Sequence, residues 1–110
     1  MTRKKSGFSQ RSLSIVSLFY LLYLIATRGT EATHQALCAL TGHSYPTLHR
    51  NLRLLREGCG VDIRSKRQTD NSTYFYIESW GIFTQERFLD TFREKFLDLA
   101  IEQAEEKADV

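Results

Sequence analysis

The side chains best suited to chemistry in this chain are hydrogen-bonding groups between residues 44 and 57. At about 100° per residue, a helix over this stretch gathers one set on its outer face: Pro46, Arg50, Arg53 and Glu57, flanked by Thr47 and His49. Arginine can form bidentate hydrogen bonds to guanine or to phosphate. A plain solvated face is the alternative, because basic outer faces are common on soluble helices. The pattern favours a face that binds anions or reads bases.

Two signals place the start of this helix at Ser44–Tyr45. Ser44 is a suitable N-cap, and Pro46 falls in the first turn, where a missing N–H costs nothing. The start of the helix is positively polarised, so Ser44 and Tyr45 suit a phosphate group. Leucines at i, i+4 and i+7 predict an inward stripe and a helix that runs to about Arg56 or Glu57: Leu48, Leu52 and Leu55.

A shorter helix is predicted immediately before this one. Thr30 is its expected cap, and Leu37 and Leu40 are expected to face inward. Gly42 ends the helix, so residues 30–60 form two helices joined by a tight turn at Gly42–His43.

The first helix should support this pair. Ser9 is a plausible N-cap, and the helix is expected to run to about Thr27 and close at Arg28–Gly29. Residues 18–25 are apolar nearly all round, which is typical of a helix buried on most sides. We therefore expect this helix to lie at the centre of the fold.

A β-hairpin is predicted after residue 60. Residues 61–64 alternate apolar and polar, residues 73–78 are rich in strand formers, and residues 68–72 form a polar turn. Three basic side chains lie near its tip and could meet a phosphate backbone: Arg64, Lys66 and Arg67. An isolated hairpin is only marginally stable in water, so we expect it to pack against the helices.

The chain is predicted to end in one long helix that begins at the cap Thr84. Its apolar stripe comprises Leu89, Phe92, Phe96 and Leu99. These residues could cover the first helix, meet the same helix of a second chain, or do both. We expect core packing first and dimerisation second.

Charge is divided unevenly along the 110 residues. Residues 1–80 carry 11 Lys/Arg against 5 Asp/Glu, whereas residues 81–110 carry 4 against 8. A basic body with an acidic end indicates an anionic partner for the body alone. Residues 1–8 are expected to be a flexible basic arm that either frays or touches DNA. The length suits one domain with a core of its own.

Other classes of protein are disfavoured. Arg3–Lys5 followed by the apolar run 13–26 resembles a secretory signal, but tyrosines interrupt the run and no good cleavage site follows. Cys38 and Cys59 form no disulfide framework, so we expect reduced thiols and a cytoplasmic protein. No zinc-ligand spacing, phosphate loop or nucleophile–base set is present, so no metal, cofactor, small-molecule ligand or catalysis is predicted.

The segment LCALTGHSYPTLHRNLRLLREGCG resembles the pattern of winged helix-turn-helix proteins, with Cys38 in the small position where two helices cross. The similarity is nearest to the DeoR-type group of bacterial and phage regulators and to the N-terminal modules of WYL-type regulators. It covers about residues 10–80. It implies a mainly α fold with a three-helix core, a two-stranded wing and a long C-terminal helix. Within these 110 residues we expect no effector domain, and in this respect the sequence departs from that group.

The resemblance implies a DNA-binding domain over residues 9–83 and leaves dimerisation as the task of residues 84–110. The implied function is sequence-specific binding of double-stranded DNA by a homodimeric transcriptional regulator, more specifically a repressor, with no membrane partner. The implied DNA contacts are Ser44, Tyr45, Thr47, His49, Arg50, Arg53, Arg64, Lys66 and Arg67. Two alternatives stay open: a winged helix for protein contact or for phage or plasmid replication or partition, and a secreted or tethered protein through residues 13–26.

Overall fold

The structure is a computed structural model that describes the backbone of residues 10–108 and the side chains of residues 14–106. The expected arm at residues 1–8 and the expected cap at Ser9 lie outside this range. Within it, five α-helices and one antiparallel hairpin confirm the prediction of a mainly helical chain with a small sheet. Their bounds are α1 Gln10–Arg28, α2 His34–Thr41, α3 Tyr45–Arg53, β1 Asp62–Arg67, β2 Thr73–Ser79, α4 Gln85–Lys95 and α5 Leu97–Ala108.

Helix α1 is the central element, as predicted. Its Leu21 and Leu22 side chains are fully buried, and α1 contacts α2, α4, α5 and β2. Such a helix needs an apolar surface on most sides, and residues 16–25 supply it. None of the described helices, α1 with its apolar run included, has the length and apolarity needed to cross a bilayer.

Helix α2 begins later than predicted, and the expected cap at Thr30 is wrong. Residues Gly29–Glu31 form a 3₁₀ turn, and the cap is Thr33, whose Oγ1 accepts a hydrogen bond from the backbone N–H of Ala36 at 3.2 Å. The delay has a tertiary cause. Residues 32–33 are held beside β2, where the extended Thr33 bridges Tyr74 and the Ala32 carbonyl accepts a hydrogen bond from the Phe75 N–H at 2.9 Å.

Helix α3 begins as predicted. Ser44 Oγ accepts a hydrogen bond from the backbone N–H of Thr47 at 3.4 Å, and Gly42 ends α2 with φ +74°. The three stripe leucines are fully buried: Leu48, Leu52 and Leu55. The helix continues as a π-helical turn over Leu54–Gly58, and the chain leaves it at Gly60, where φ is +71°.

The hairpin is held to the helices at both ends. Strands β1 and β2 pair with Arg64 opposite Tyr76 and Lys66 opposite Tyr74. Near its turn, Gln68 Nε2 donates a hydrogen bond to the carbonyl of Thr30 at 3.2 Å. At its base, Arg56 Nε donates to the carbonyl of Ile63 at 3.0 Å. These bonds and the buried Ile63 and Phe75 side chains fix the hairpin against the helical unit.

The predicted single C-terminal helix is wrong, because the chain bends at Phe96, where φ is −127°. Helices α4 and α5 on either side of the bend both contact α1, and α5 also contacts α2. The bend lets two small residues of α5, Ala100 and Ala104, be buried in the core. The burial of α5 explains the bend at Phe96, which the regular spacing of apolar residues did not predict.

We expect Gly81→Ala to destabilise the fold strongly. Gly81 has φ +61°, and a Cβ there would clash with the carbonyl oxygen of Cys59 and the carbonyl carbon of Gly60. Backbone strain alone costs about 1–3 kcal/mol, and the contact with backbone atoms adds to it. Thermal unfolding followed by circular dichroism should show a loss of several degrees in Tm.

Gly58→Ala is the matched control for this substitution. Gly58 lies in the π-helical turn, and a Cβ there would meet nothing within 4 Å. Removing a helical glycine should leave stability unchanged or raise it by about 0.5–1 kcal/mol. Equal Tm values for the two variants would show that the close approach of residues 59–60 to Gly81 is unimportant.

Candidate nucleic-acid interface

The outer face of α3 carries the arginines that sequence reasoning singled out. Arg50 and Arg53 are exposed, and the leucine stripe on the opposite side of α3 is fully buried. Among the residues that the structure describes, neither arginine has an ion-pair partner. Arg50 Nη2 lies 3.5 Å from Thr47 Oγ1, which is a weak contact. Both guanidinium groups are therefore available to an anionic ligand.

The hydroxyls at the start of α3 are already engaged. Ser44 Oγ accepts the capping bond from Thr47 and donates its own proton to Thr47 Oγ1 at 3.2 Å. Thr47 is half-buried, whereas Tyr45 is 53% exposed. Of Ser44 and Tyr45, the two residues expected to meet a phosphate at the helix start, only the Ser44 hydroxyl is already used in hydrogen bonds within the helix.

The basic side chains of the hairpin are not equivalent. Arg64 lies against Asp62, with Nη2 2.9 Å from Oδ2 and Nε 3.2 Å from both carboxylate oxygens. This bond and the charge of Arg64 lower the pKa of the Asp62 carboxyl. Lys66 and Arg67 are exposed and form no ion pair within the described part of the chain. Two free cations therefore remain on the hairpin.

A cluster of aromatic rings beside the start of α3 was not predicted. His34, the first residue of α2, stacks on Tyr45 with centroids 5.0 Å apart and makes a T-shaped contact with Phe75, with centroids 4.8 Å apart. Its Nε2 lies 3.0 Å from Nε2 of His49. Burial, and then the neighbouring His49, lower the pKa of His34. His49 is therefore held by a second imidazole, which its place in the sequence did not indicate.

The third histidine, His43, links α3 to α1 through its side chain. It is buried in the turn between α2 and α3, with Nε2 2.9 Å from Ser17 Oγ on α1. Its Nδ1 lies 3.4 Å from Nδ2 of Asn51 on α3. Its backbone N–H donates a hydrogen bond to Thr41 Oγ1 at 3.3 Å. One side chain thus ties the turn to two helices.

The expected dimer contacts differ in accessibility. Phe92 is 2% exposed and lies against the rings of Tyr20 and Tyr23 of α1, so it offers no surface to a second chain. The other three are half-buried at the surface: Leu89, Phe96 and Leu99. Phe92 is therefore a core residue. For Leu89, Phe96 and Leu99, contact with a second chain stays a prediction.

The cysteines form no disulfide with one another, and both are half-buried. Cys38 lies on α2, where burial raises the pKa of its thiol and disfavours the reactive thiolate. The described residues contain no group of three or more His, Cys, Asp and Glu side chains placed to hold a metal ion.

Comparisons with known proteins establish similarity of fold alone. No protein-family model matches the chain, and no curated protein matches it. Among solved structures it is similar to a DUF2131 family protein from Shewanella amazonensis SB2B, with a TM-score of 0.67 and 19% sequence identity. The match covers 88% of this chain and 99% of that one. At this identity the two proteins share an architecture that includes most of the present chain.

We expect Ser17→Ala to destabilise the protein by about 1–3 kcal/mol, because it leaves a buried imidazole nitrogen of His43 without its Ser17 partner. At about 4–8 °C per kcal/mol, the loss should be plain in thermal unfolding. Thr27→Ala is the control on the same helix, because that exposed hydroxyl bonds only to the Tyr23 carbonyl of its own turn. Equal stability of the two variants would contradict the role given to His43.

Proposed function

We propose that this chain is a winged helix-turn-helix protein that binds double-stranded DNA sequence-specifically and regulates transcription as a homodimer. In this proposal α3 is the recognition helix and the β1–β2 hairpin is the wing. A helix about 10–12 Å wide fits the major groove of B-DNA, which is about 12 Å wide. The proposal uses the basic α3 face and the hairpin together.

The observation that carries the proposal is the pair of unengaged arginines on α3. Guanidinium groups on soluble proteins commonly find a carboxylate, yet Arg50 and Arg53 have none among the described residues. The helix beneath them is fixed by three fully buried leucines and a Ser44 cap, so the face on which they stand is set before any ligand binds. Unengaged arginines on such a face suit bidentate reading of guanine edges.

The hairpin supports the same proposal from a second element. Lys66 and Arg67 are free to meet phosphates beside the groove that α3 reads, while Arg64 is partly neutralised by Asp62. The bond from Gln68 to the Thr30 carbonyl and the bridge at Thr33 keep the hairpin at a constant position relative to α2. A rigid wing adds affinity without an ordering cost on binding.

Dimerisation would use the exposed edges of α4 and α5. Leu89, Phe96 and Leu99 each keep part of their apolar surface uncovered. A two-fold dimer through these residues would place two recognition helices about one DNA turn, roughly 34 Å, apart. Repressors commonly use such paired sites, and this arrangement doubles the contact surface.

We expect replacing both Arg50 and Arg53 by Ala to weaken binding to a selected operator about 10-fold or more per lost bidentate contact. Duplexes selected from a random pool would supply the operator, and fluorescence anisotropy would give affinities over a range of salt. The matched control is Arg87→Ala with Lys95→Ala, which removes the same charge from the exposed surface of α4. Absence of duplex binding by the unaltered protein at low salt, or equal affinity of both double variants, would refute the proposal.

We expect Lys66→Ala and Arg67→Ala to weaken binding to all duplexes alike. Each lost phosphate contact should reduce the slope of log K against log salt by about 0.9. Arg64→Ala should have a smaller effect, because Asp62 already pairs with that side chain. A change in sequence preference instead of a uniform loss would assign the wing to base reading.

A further inference from the structure

Two histidines from different helices meet at the surface beside the start of α3. His34 and His49 are 15 residues apart, yet their Nε2 atoms lie 3.0 Å apart, with ring centroids at 4.8 Å and planes at 39°. Two imidazole nitrogens at this distance can share a hydrogen, and after a small separation they can share a cation. The described chain places its remaining histidine elsewhere, where His43 bonds to Ser17 and Asn51.

The His34 imidazole is held in place before any ligand binds. One face stacks on Tyr45, and the Phe75 ring makes a T-shaped contact with centroids 4.8 Å apart and planes at 72°. His49 and Tyr45 are exposed, which leaves an open approach from solvent.

The spacing of the two nitrogens is close to what a shared metal ion requires. Zinc–nitrogen bonds of about 2.0–2.1 Å at a tetrahedral angle put the two ligand atoms about 3.3–3.4 Å apart. The pair needs to open by only a few tenths of an ångström, which the exposed His49 side chain can supply by a small rotation. Imidazole is a preferred ligand of zinc, copper and nickel.

We propose that His34 and His49 form an open two-histidine site for a divalent transition-metal ion of the zinc type. Two Nε2–metal bonds form, and two water molecules leave the hydrated ion while others remain. The imidazole that carried its proton on Nε2 carries it on Nδ1 instead, so no net proton is released. The ion joins α2 to α3 across the turn. This site does not depend on DNA binding, because both ligands belong to the folded chain.

Zinc titration of the untagged full-length protein tests the site in the absence of DNA. Calorimetry should give one ion per chain, and ¹⁵N spectra of the imidazoles should shift at Nε2 of His34 and His49 together. His49→Gln and His34→Gln should each weaken binding about tenfold or more, since the second imidazole acts at high effective concentration. His49 is exposed, so its replacement leaves the fold intact.

The double variant Cys38→Ser with Cys59→Ser is the control for thiol binding and should retain the full affinity. Saturable binding that both glutamine variants lose and the cysteine variant keeps supports the site. No saturable binding with zinc in excess, or binding that His49→Gln leaves unchanged, overturns it. If His49→Gln leaves zinc binding unchanged and the double cysteine variant loses it, the zinc is bound by the thiols instead.

Discussion

A buried imidazole constrains the joint between the first three helices. The ring of His43 must satisfy its polar atoms inside the core, and it does so on Ser17 of α1 and Asn51 of α3. Leaving one such atom unpaired costs about 1–3 kcal/mol. Rotating α3 by one residue, about 100°, would carry Asn51 away from the ring and take the buried leucines out of the core. Because Asn51 and the leucines must face the core, Arg50 and Arg53 lie on the outer face of α3.

Most of the fold could be predicted because its signals are local. Ser44 and Pro46 mark a helix start within three residues, Gly42 adopts the left-handed conformation that ends α2, and the leucine spacing identifies a buried stripe. What could not be predicted depends on partners distant in the chain. The capping role belongs to Thr33 rather than Thr30 because Ala32 and Thr33 pair with β2, and α4 ends at Phe96 because α5 packs back on α1 and α2.

The candidate site divides in the same way. Helical periodicity was enough to predict that Arg50 and Arg53 point outward, and strand alternation indicates that Asp62 and Arg64, two residues apart, share a face. No pattern within one element could bring His34 to His49, because their distance depends on how α2 crosses α3. The sequence also does not show that both hydrogen bonds of the Ser44 hydroxyl are made to Thr47.

The two proposals meet on α3, because His49 and Arg50 are adjacent on it. An ion held by His34 and His49 would add two positive charges next to the arginine face, where a phosphate backbone would be attracted to it. Thermodynamic reciprocity then requires that DNA bound to this face strengthen ion binding by the same factor. Tyr45, the first residue of α3, stacks on His34. A movement of the His34–His49 pair would therefore shift the start of α3.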